Sequence, residues 1–229
     1  MKQLTLILFA VLSLFAPPQP ARALQENITL GAHLGTLGMG ADVGVAVNET
    51  FGLRGGGGFY GFGLDLTGRF GLADNRTAEL SLPSAMFTIG AEVSSGALRA
   101  GAGLLIRAGD PVYEITYGNG ASIDIGGGYY TQPEVRALAT TLVAGSITPY
   151  ALLGYGSRRS RGLGFVVDAG GAFPLDAGFE MSATGDPAVL GSARFRTDLE
   201  TERLEAEDDA GGWLSFWPII SIGLRYGLR

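Results

Sequence analysis

The end of the chain alternates strictly between apolar side chains and small or charged ones. The apolar positions are Ile220, Ile222, Leu224, Tyr226 and Leu228, and the positions between them are Ser221, Gly223, Arg225 and Gly227. Successive side chains of a β-strand point to opposite sides, so such a strand has one apolar face and one polar face. A transmembrane β-barrel places lipid against the first face and a polar lumen against the second.

The N-terminus has the pattern of an export signal. A positively charged start is followed by an uncharged apolar stretch over 4–16, three prolines, and the small-x-small triplet at 21–23. The apolar stretch is shorter than the roughly 20 residues of a membrane helix. We therefore predict a removable signal peptide over 1–23 and a single outer-membrane β-barrel domain over 24–229. An N-terminal membrane anchor is the alternative.

The composition excludes several other classes of protein. The chain has no cysteine, so disulfides and thiolate metal sites are ruled out. No later segment is apolar enough for a membrane helix, so any span must consist of strands. The net charge is −6 and the arginines are scattered, which argues against nucleic acid as a partner.

Alternating segments recur along the chain and predict an all-β, antiparallel transmembrane barrel. We place strands at Ile28–Leu34, Met39–Asn48, Phe51–Phe62, Ala78–Val93, Ala97–Ala108, Ala139–Gly156, Gly162–Phe173, Gly178–Thr184 and Leu214–Leu228. Bacterial barrels have even strand numbers, so about eight strands are expected, or ten if an Asn119-Gly120 hairpin counts. One charged helical segment, about 192–209, precedes the last strand. The 35–38 segment is either a hairpin or a bulge, and the nine segments leave the up-and-down topology unresolved.

The alternation also predicts which side chains face the lumen. The lumen-facing candidates are His33, Asp42, Arg54, Arg99, Arg107, Asp168 and Arg225. An eight-stranded barrel is just wide enough for side chains to fill it, and buried charges persist only when paired. We therefore expect a network of arginines and acids that plugs the barrel rather than conducts. Aromatic residues near the strand ends suit girdles at the membrane interfaces.

Several segments carry a family resemblance. They are Gly35–Ala41, Phe51–Gly56, Thr148–Gly156 and Ile222–Tyr226. With the alternating C-terminal strand, in which Leu228 takes the place of a terminal aromatic residue, they resemble the small outer-membrane β-barrel superfamily of Gram-negative bacteria (OmpA transmembrane domain, OmpX and OmpW type). The resemblance implies the fold and a place in the cell outer membrane, with no catalytic residue to transfer. The partners implied are outer-membrane lipid, lipopolysaccharide and, through the C-terminal strand, the barrel-insertion machinery, for a chain expected to be monomeric.

Other chemistry has weaker support in the sequence. His33 is the only histidine, and no serine or acid at strand spacing accompanies it. The acids Glu205, Glu207, Asp208 and Asp209 could hold calcium weakly, although a solvated surface is the simpler interpretation. The basic turn Arg158-Arg159-Arg161 could contact anionic headgroups. The glycines at 55–58 lack the Lys-Ser/Thr pair of a phosphate loop. We expect no cofactor and no metal.

Three functional hypotheses remain. The first is a non-enzymatic outer-membrane barrel with a structural or envelope-interaction role, with a narrow passage for small solutes as an option. The second is an outer-membrane lipid hydrolase that uses His33 as its base. The third is a secreted soluble barrel that binds an apolar ligand in the manner of a lipocalin.

Overall fold

The computed structural model describes residues 28–60, 63–68, 75–156 and 162–228, together with the backbone but not the side chain of Trp213. The predicted signal peptide, Phe62 and the basic turn at 157–161 lie outside the described residues. The strands are β1 Ile28–Gly35, β2 Gly38–Ala46, β3 Phe51–Phe59, β4 Leu64–Asp65, β5 Arg76–Ser81, β6 Ala85–Ser95, β7 Leu98–Ala108, β8 Val112–Tyr117, β9 Ser122–Ile125, β10 Gly128–Thr131, β11 Val135–Ala144, β12 Ile147–Gly156, β13 Gly162–Ala172, β14 Ala177–Gly185 and β15 Trp217–Gly227. The helices are α1 Pro187–Leu190 and α2 Ala193–Ala210, and a 3-10 turn follows at Gly211–Ser215.

Eight of the strands form a closed antiparallel barrel. Its order is β1, β2, β3, β6, β7, β12, β13 and β15, and β15 pairs back onto β1. Closure leaves no strand edge unpaired. Seven of the eight strands have 9 to 11 residues, and β1 has 8. The prediction of an all-β barrel of about eight strands with one helical excursion before the last strand is confirmed.

Three long connections leave the same end of the barrel and fold together. They supply a five-stranded sheet of order β14, β11, β8, β5 and β4, the ribbon of β9 and β10, and both helices. We call this assembly the crown, its side of the barrel the crown end, and the opposite side the turn end. The hairpin between β1 and β2 also lies at the crown end. The first barrel strand begins at the turn end and the last one finishes there, where Thr29 pairs with Gly227.

The crown explains the topology that the sequence pattern left unresolved. Gly178–Thr184 is a strand, but it belongs to the crown as β14 and does not cross the barrel. Because β14 does not cross the barrel, eight strands do, and the last of them runs from the crown end to the turn end. The 35–38 segment is a hairpin, because Gly38 has a φ of +90° and β1 pairs directly with β2.

Two predicted strands are each divided between the barrel and the crown. Ala78–Val93 breaks around Pro83 into β5 and β6, and Ala139–Gly156 breaks at 145–146 into β11 and β12. The alternating pattern spans both breaks because both sheets have one apolar face. The Asn119-Gly120 hairpin prediction was wrong: β8 pairs with β5 and β11, and the ribbon turns at Gly126-Gly127, both with positive φ.

Helix α2 packs on one face of the crown. Its first turn is capped by Ser192, whose hydroxyl accepts a hydrogen bond from the Phe195 N–H. Phe195 is the one fully buried residue of α2, and its ring contacts Tyr130 edge-to-face at 5.2 Å. The crown core around it consists of Tyr117, Ala121, Ile123, Ile125, Tyr130, Val135 and Leu138. The crown thus has an apolar core of its own. Among the described residues, no helix combines the length and apolarity needed to cross a membrane.

Candidate functional site

The barrel strands separate charge from apolar surface completely. Every charged residue in these eight strands has its side chain inside the barrel, and each is at least partly buried. These inward residues are Asp42, Arg54, Glu92, Arg99, Arg107, Asp168 and Arg225. The outward positions hold only apolar or small residues, apart from Ser95 at the turn end. The barrel interior is therefore the place where polar chemistry concentrates.

Three arginines and three acids form a closed cycle of contacts inside the barrel. In order around the cycle, the members are Asp42, Arg54, Asp168, Arg99, Glu92 and Arg225. We call this cycle the ion-pair ring. Each acid lies between two arginines and each arginine between two acids, so the formal charges balance. Its members come from six different barrel strands, so the ring links strands that are not neighbours in the sheet.

One half of the ion-pair ring is tighter than the other. Arg54 donates to Asp42 at 3.0 Å and to Asp168 at 2.8 Å, and Arg99 donates to Asp168 at 2.7 Å. The contacts of Glu92 with Arg99 and Arg225 are 3.5 Å each, and Arg225 lies 3.4 Å from Asp42. Asp168 thus accepts two short charge-assisted hydrogen bonds and anchors the tight half.

The two strands that contribute no charge to the ring contribute glycine where the ring needs space. A Cβ atom at Gly31 on β1 would lie 2.5 Å from Oδ2 of Asp42. A Cβ atom at Gly154 on β12 would collide with Oδ1 of Asp168 and lie 2.9 Å from Nη2 of Arg99. The lumenal glycines of these strands therefore leave room for six large charged side chains.

His33 is adjacent to the ion-pair ring but outside the cycle. Its Nδ1 atom lies 3.5 Å from Oδ2 of Asp42, on the neighbouring strand. No acid lies at strand spacing from His33 on β1, but Asp42 accompanies it from β2, where it is diagonal to His33 in the β1–β2 register. No described serine is hydrogen-bonded to His33, and its side chain lies in the barrel interior and not on the outer wall.

An apolar layer lies between the ion-pair ring and the crown. Its buried members are Leu37, Met86, Leu105, Tyr150, Ala172 and Ile219. On β7, Leu105 is six residues closer to the crown end than Arg99, and on β15 Ile219 is six residues closer than Arg225. A small cavity of about 30 Å³ separates the two layers, enough for one or two water molecules. Its lining includes His33, Asp42, Arg54 and Asp168 on the charged side.

Arg107 faces inward but takes no part in the ion-pair ring. It lies near the crown end of β7, where its Nη2 donates to the carbonyl of Ala144 at 2.6 Å and lies 3.4 Å from the carbonyl of Gly145. Asp110 lies 3.3 Å from the same nitrogen, and the guanidinium lies over the Trp217 indole, 5.9 Å from its centroid. Of the seven predicted lumen residues, five are members of the ion-pair ring. His33 lies beside the ring, and Arg107 lies at the crown end of the barrel.

Sequence reasoning missed Glu92 as a ring member. The predicted strand over 78–93 contains a break, so its inward parity was not assigned. Counting back from the turn at 96–97 would have found it, since Glu92 and Ser94 alternate inward there.

Glu207, near the acidic end of α2, has local hydrogen-bond partners. Glu207 accepts hydrogen bonds from the Phe179 N–H at 2.7 Å and from Arg203 at 2.6 Å. Within the described parts of the chain, no group of three or more histidine or acidic side chains is arranged to hold a metal ion.

Burial raises the pKa of the Tyr130 hydroxyl to about 12, helped by Asp198, which accepts its hydrogen bond.

Comparison with known proteins identifies the fold. No family model matches the sequence, and no curated protein matches it. Crystal structures of two Acinetobacter baumannii proteins are similar in structure. CarO2 has a TM-score of 0.59 at 16% identity, and CarO has a TM-score of 0.56 at 15% identity; each comparison covers 87% of this chain and 97% of the other. At these identities the likeness shows a shared barrel fold.

Proposed function

We propose that this chain is an integral β-barrel protein of the outer membrane of a Gram-negative bacterium, with a structural or envelope-interaction role. The observation that carries the proposal is the sorting of charge: all charged residues of the eight barrel strands point inward, and the outer wall has none. In water this arrangement would expose a large apolar surface and bury ions. Lipid as the outer solvent makes the same arrangement favourable.

Aromatic residues at both ends of the outer wall support this proposal. Tyr155 and Tyr226 lie outward near the turn end. Near the crown end, Phe59 contacts Phe87 edge-to-face at 6.3 Å, and Phe173 contacts Phe216 at 5.9 Å. Two such bands suit the two membrane interfaces. Tyr60, Tyr150 and Trp217 also lie near strand ends, but they pack with the apolar layer.

The connections suggest the orientation. Outer-membrane barrels have short periplasmic turns and longer extracellular loops. We place the crown outside the cell and the turn end in the periplasm. The crown is then the part available for envelope interactions, and lipid, lipopolysaccharide and the barrel-insertion machinery remain the proposed partners of a monomer. A narrow solute passage would have to cross both the ion-pair ring and the apolar layer.

The two alternative functions fit the interior less well. A lipid hydrolase needs its histidine at the lipid-facing rim, and His33 lies in the lumen beside Asp42. Replacing His33 by alanine and assaying phospholipid and lipid A hydrolysis tests this alternative; loss of a measured activity would restore it. A lipocalin-like protein would need an apolar cavity, whereas this barrel contains six ion-pair partners.

Membrane fractionation combined with gel migration tests the proposal. We expect the protein in the outer-membrane fraction, solubilised only by detergent, and migrating faster before boiling than after it. A protein that stays monomeric in detergent-free buffer, or appears in the periplasmic fraction, would contradict the proposal.

A further inference from the structure

The two sides of the barrel mouth at the crown end are held differently. On one side, two hydrogen bonds tie the short β1–β2 hairpin to β15: Thr36 N–H donates to the Ile220 carbonyl at 2.9 Å, and Ile220 N–H donates to the Thr36 side-chain Oγ1 at 2.9 Å. The Tyr60 hydroxyl also donates to the Thr36 carbonyl. That side is a continuous part of the sheet.

The other side contains long connections that enter and leave the crown, and one side chain contacts three of their junctions. Arg107 reaches the carbonyls of Ala144 and Gly145, where the chain returns from the crown to β12. It reaches Asp110, where the chain enters the crown after β7. It also covers Trp217, where β15 begins. Arg107 thus joins the start and end of one connection to the end of another.

Arg107 also lies directly above the apolar layer. Leu105 is the preceding inward residue on β7, and Ile219 is the next inward residue after Trp217 on β15. Both belong to the apolar layer that covers the inner cavity. The Arg107–Trp217 pair therefore lies on the crown side of the apolar layer.

We infer that Arg107 is a latch that holds the long connections and the apolar layer beneath them in place at the crown end, and that its release loosens this layer and admits small hydrophilic solutes to the cavity wall formed by Asp42, Arg54 and Asp168. The inference rests on the proposed function and adds its regulation. Arg107 is a positioning residue, because it holds the connections in place and does not itself line the cavity. A single hydrogen bond from a charged donor contributes about a factor of ten or more to an equilibrium, so one substitution should measurably shift opening.

The absence of cysteine from the chain allows a direct accessibility test. Thr88 lines the cavity and is close in size to cysteine, so Thr88→Cys places one thiol there. The refolded full-length mature protein in detergent micelles is treated with a water-soluble methanethiosulfonate reagent, and the modification rate is measured. We expect slow modification of Thr88→Cys alone and at least about a tenfold faster rate with Arg107→Gln added. Arg107→Lys, which keeps the charge, should restore part of the protection.

Arg136→Gln is the matched control, since Arg136 is exposed on the crown strand β11. It should leave the rate unchanged. Heat-modifiable migration of each variant shows that the barrel is folded, and Trp217→Leu replaces Arg107→Gln if the latter does not fold. Equal rates with and without the latch substitution in folded protein would overturn the inference, as would rapid modification of Thr88→Cys alone. Fractionation tests the membrane location separately, so the two failures are distinguishable.

Discussion

Among individual residues, Asp168 anchors the tight half of the ion-pair ring. It accepts short hydrogen bonds from Arg54 and Arg99 and is almost completely buried. Asp168→Asn leaves two buried arginines short of a counter-charge, so we expect the free energy of unfolding to fall by about 3–5 kcal/mol. Denaturant titration of the protein in lipid vesicles measures the change. Asp176→Asn, at an exposed position after β13, should leave the midpoint in place. Equal midpoints for both variants would show that the ring contributes little stability.

Gly154 is predicted to be intolerant of even one added carbon. In Gly154→Ala, the new methyl group would occupy the space where Asp168 and Arg99 meet, so their 2.7 Å hydrogen bond would have to lengthen or break. We expect a loss of about 1–3 kcal/mol in the same titration. Gly212→Ala is the control, because nothing lies within 4 Å of a Cβ at that position. A tolerated Gly154→Ala would mean that the ring can rearrange without cost.

At the scale of elements, the contact between α2 and β14 should depend on pH. The pKa of Glu207 is lowered, first by the Phe179 N–H that donates to its carboxylate and further by Arg203. A lowered pKa in the folded state means that the ionised carboxylate stabilises the contact at neutral pH. That stabilisation is lost as the pH falls through the ordinary range of a glutamate toward the lowered value.

Hydrogen exchange can follow this loss at one amide. The protection factor of the Phe179 amide should fall on acidification in the unmodified protein. In Glu207→Gln it should be lower at neutral pH and nearly independent of pH. Parallel pH profiles for the two proteins would show that Glu207 does not secure the edge of β14.

The sequence predicts the two faces of each strand but not the sheet that the strand joins. Alternation predicts inward and outward faces because it reflects the strand backbone alone, and the barrel as a class follows from it. It does not indicate which sheet a strand joins, which is why β5 and β11 were merged with the barrel strands that follow them. The ring was expected only as a network. Its order depends on the register between strands far apart in sequence, as for Arg54 and Asp168, and no local pattern encodes that register.

For the whole molecule, the medium around the barrel decides what an added charge costs. Ile222 lies midway along β15 on the outer wall and is 51% exposed, while Leu204 on α2 is 52% exposed. In water the two substitutions Ile222→Arg and Leu204→Arg would be equally mild. In a bilayer, only Ile222→Arg places a charge at the membrane midplane, and we expect it to cost about 2–4 kcal/mol. Folding into lipid vesicles at increasing denaturant compares the two, and equal effects would argue against lipid around the barrel.

The pairing of β1 with β15 constrains how this protein can be made. A nascent chain that lacks its last strand leaves two strand edges unpaired, and its apolar outer face is exposed at the same time. Pairing of β1 with β15 is needed to close the barrel. Closure requires partners almost two hundred residues apart, a contact that forms slowly. Until the final strand has been synthesised, the polypeptide is therefore exposed to aggregation, and truncated products are expected to aggregate or be degraded.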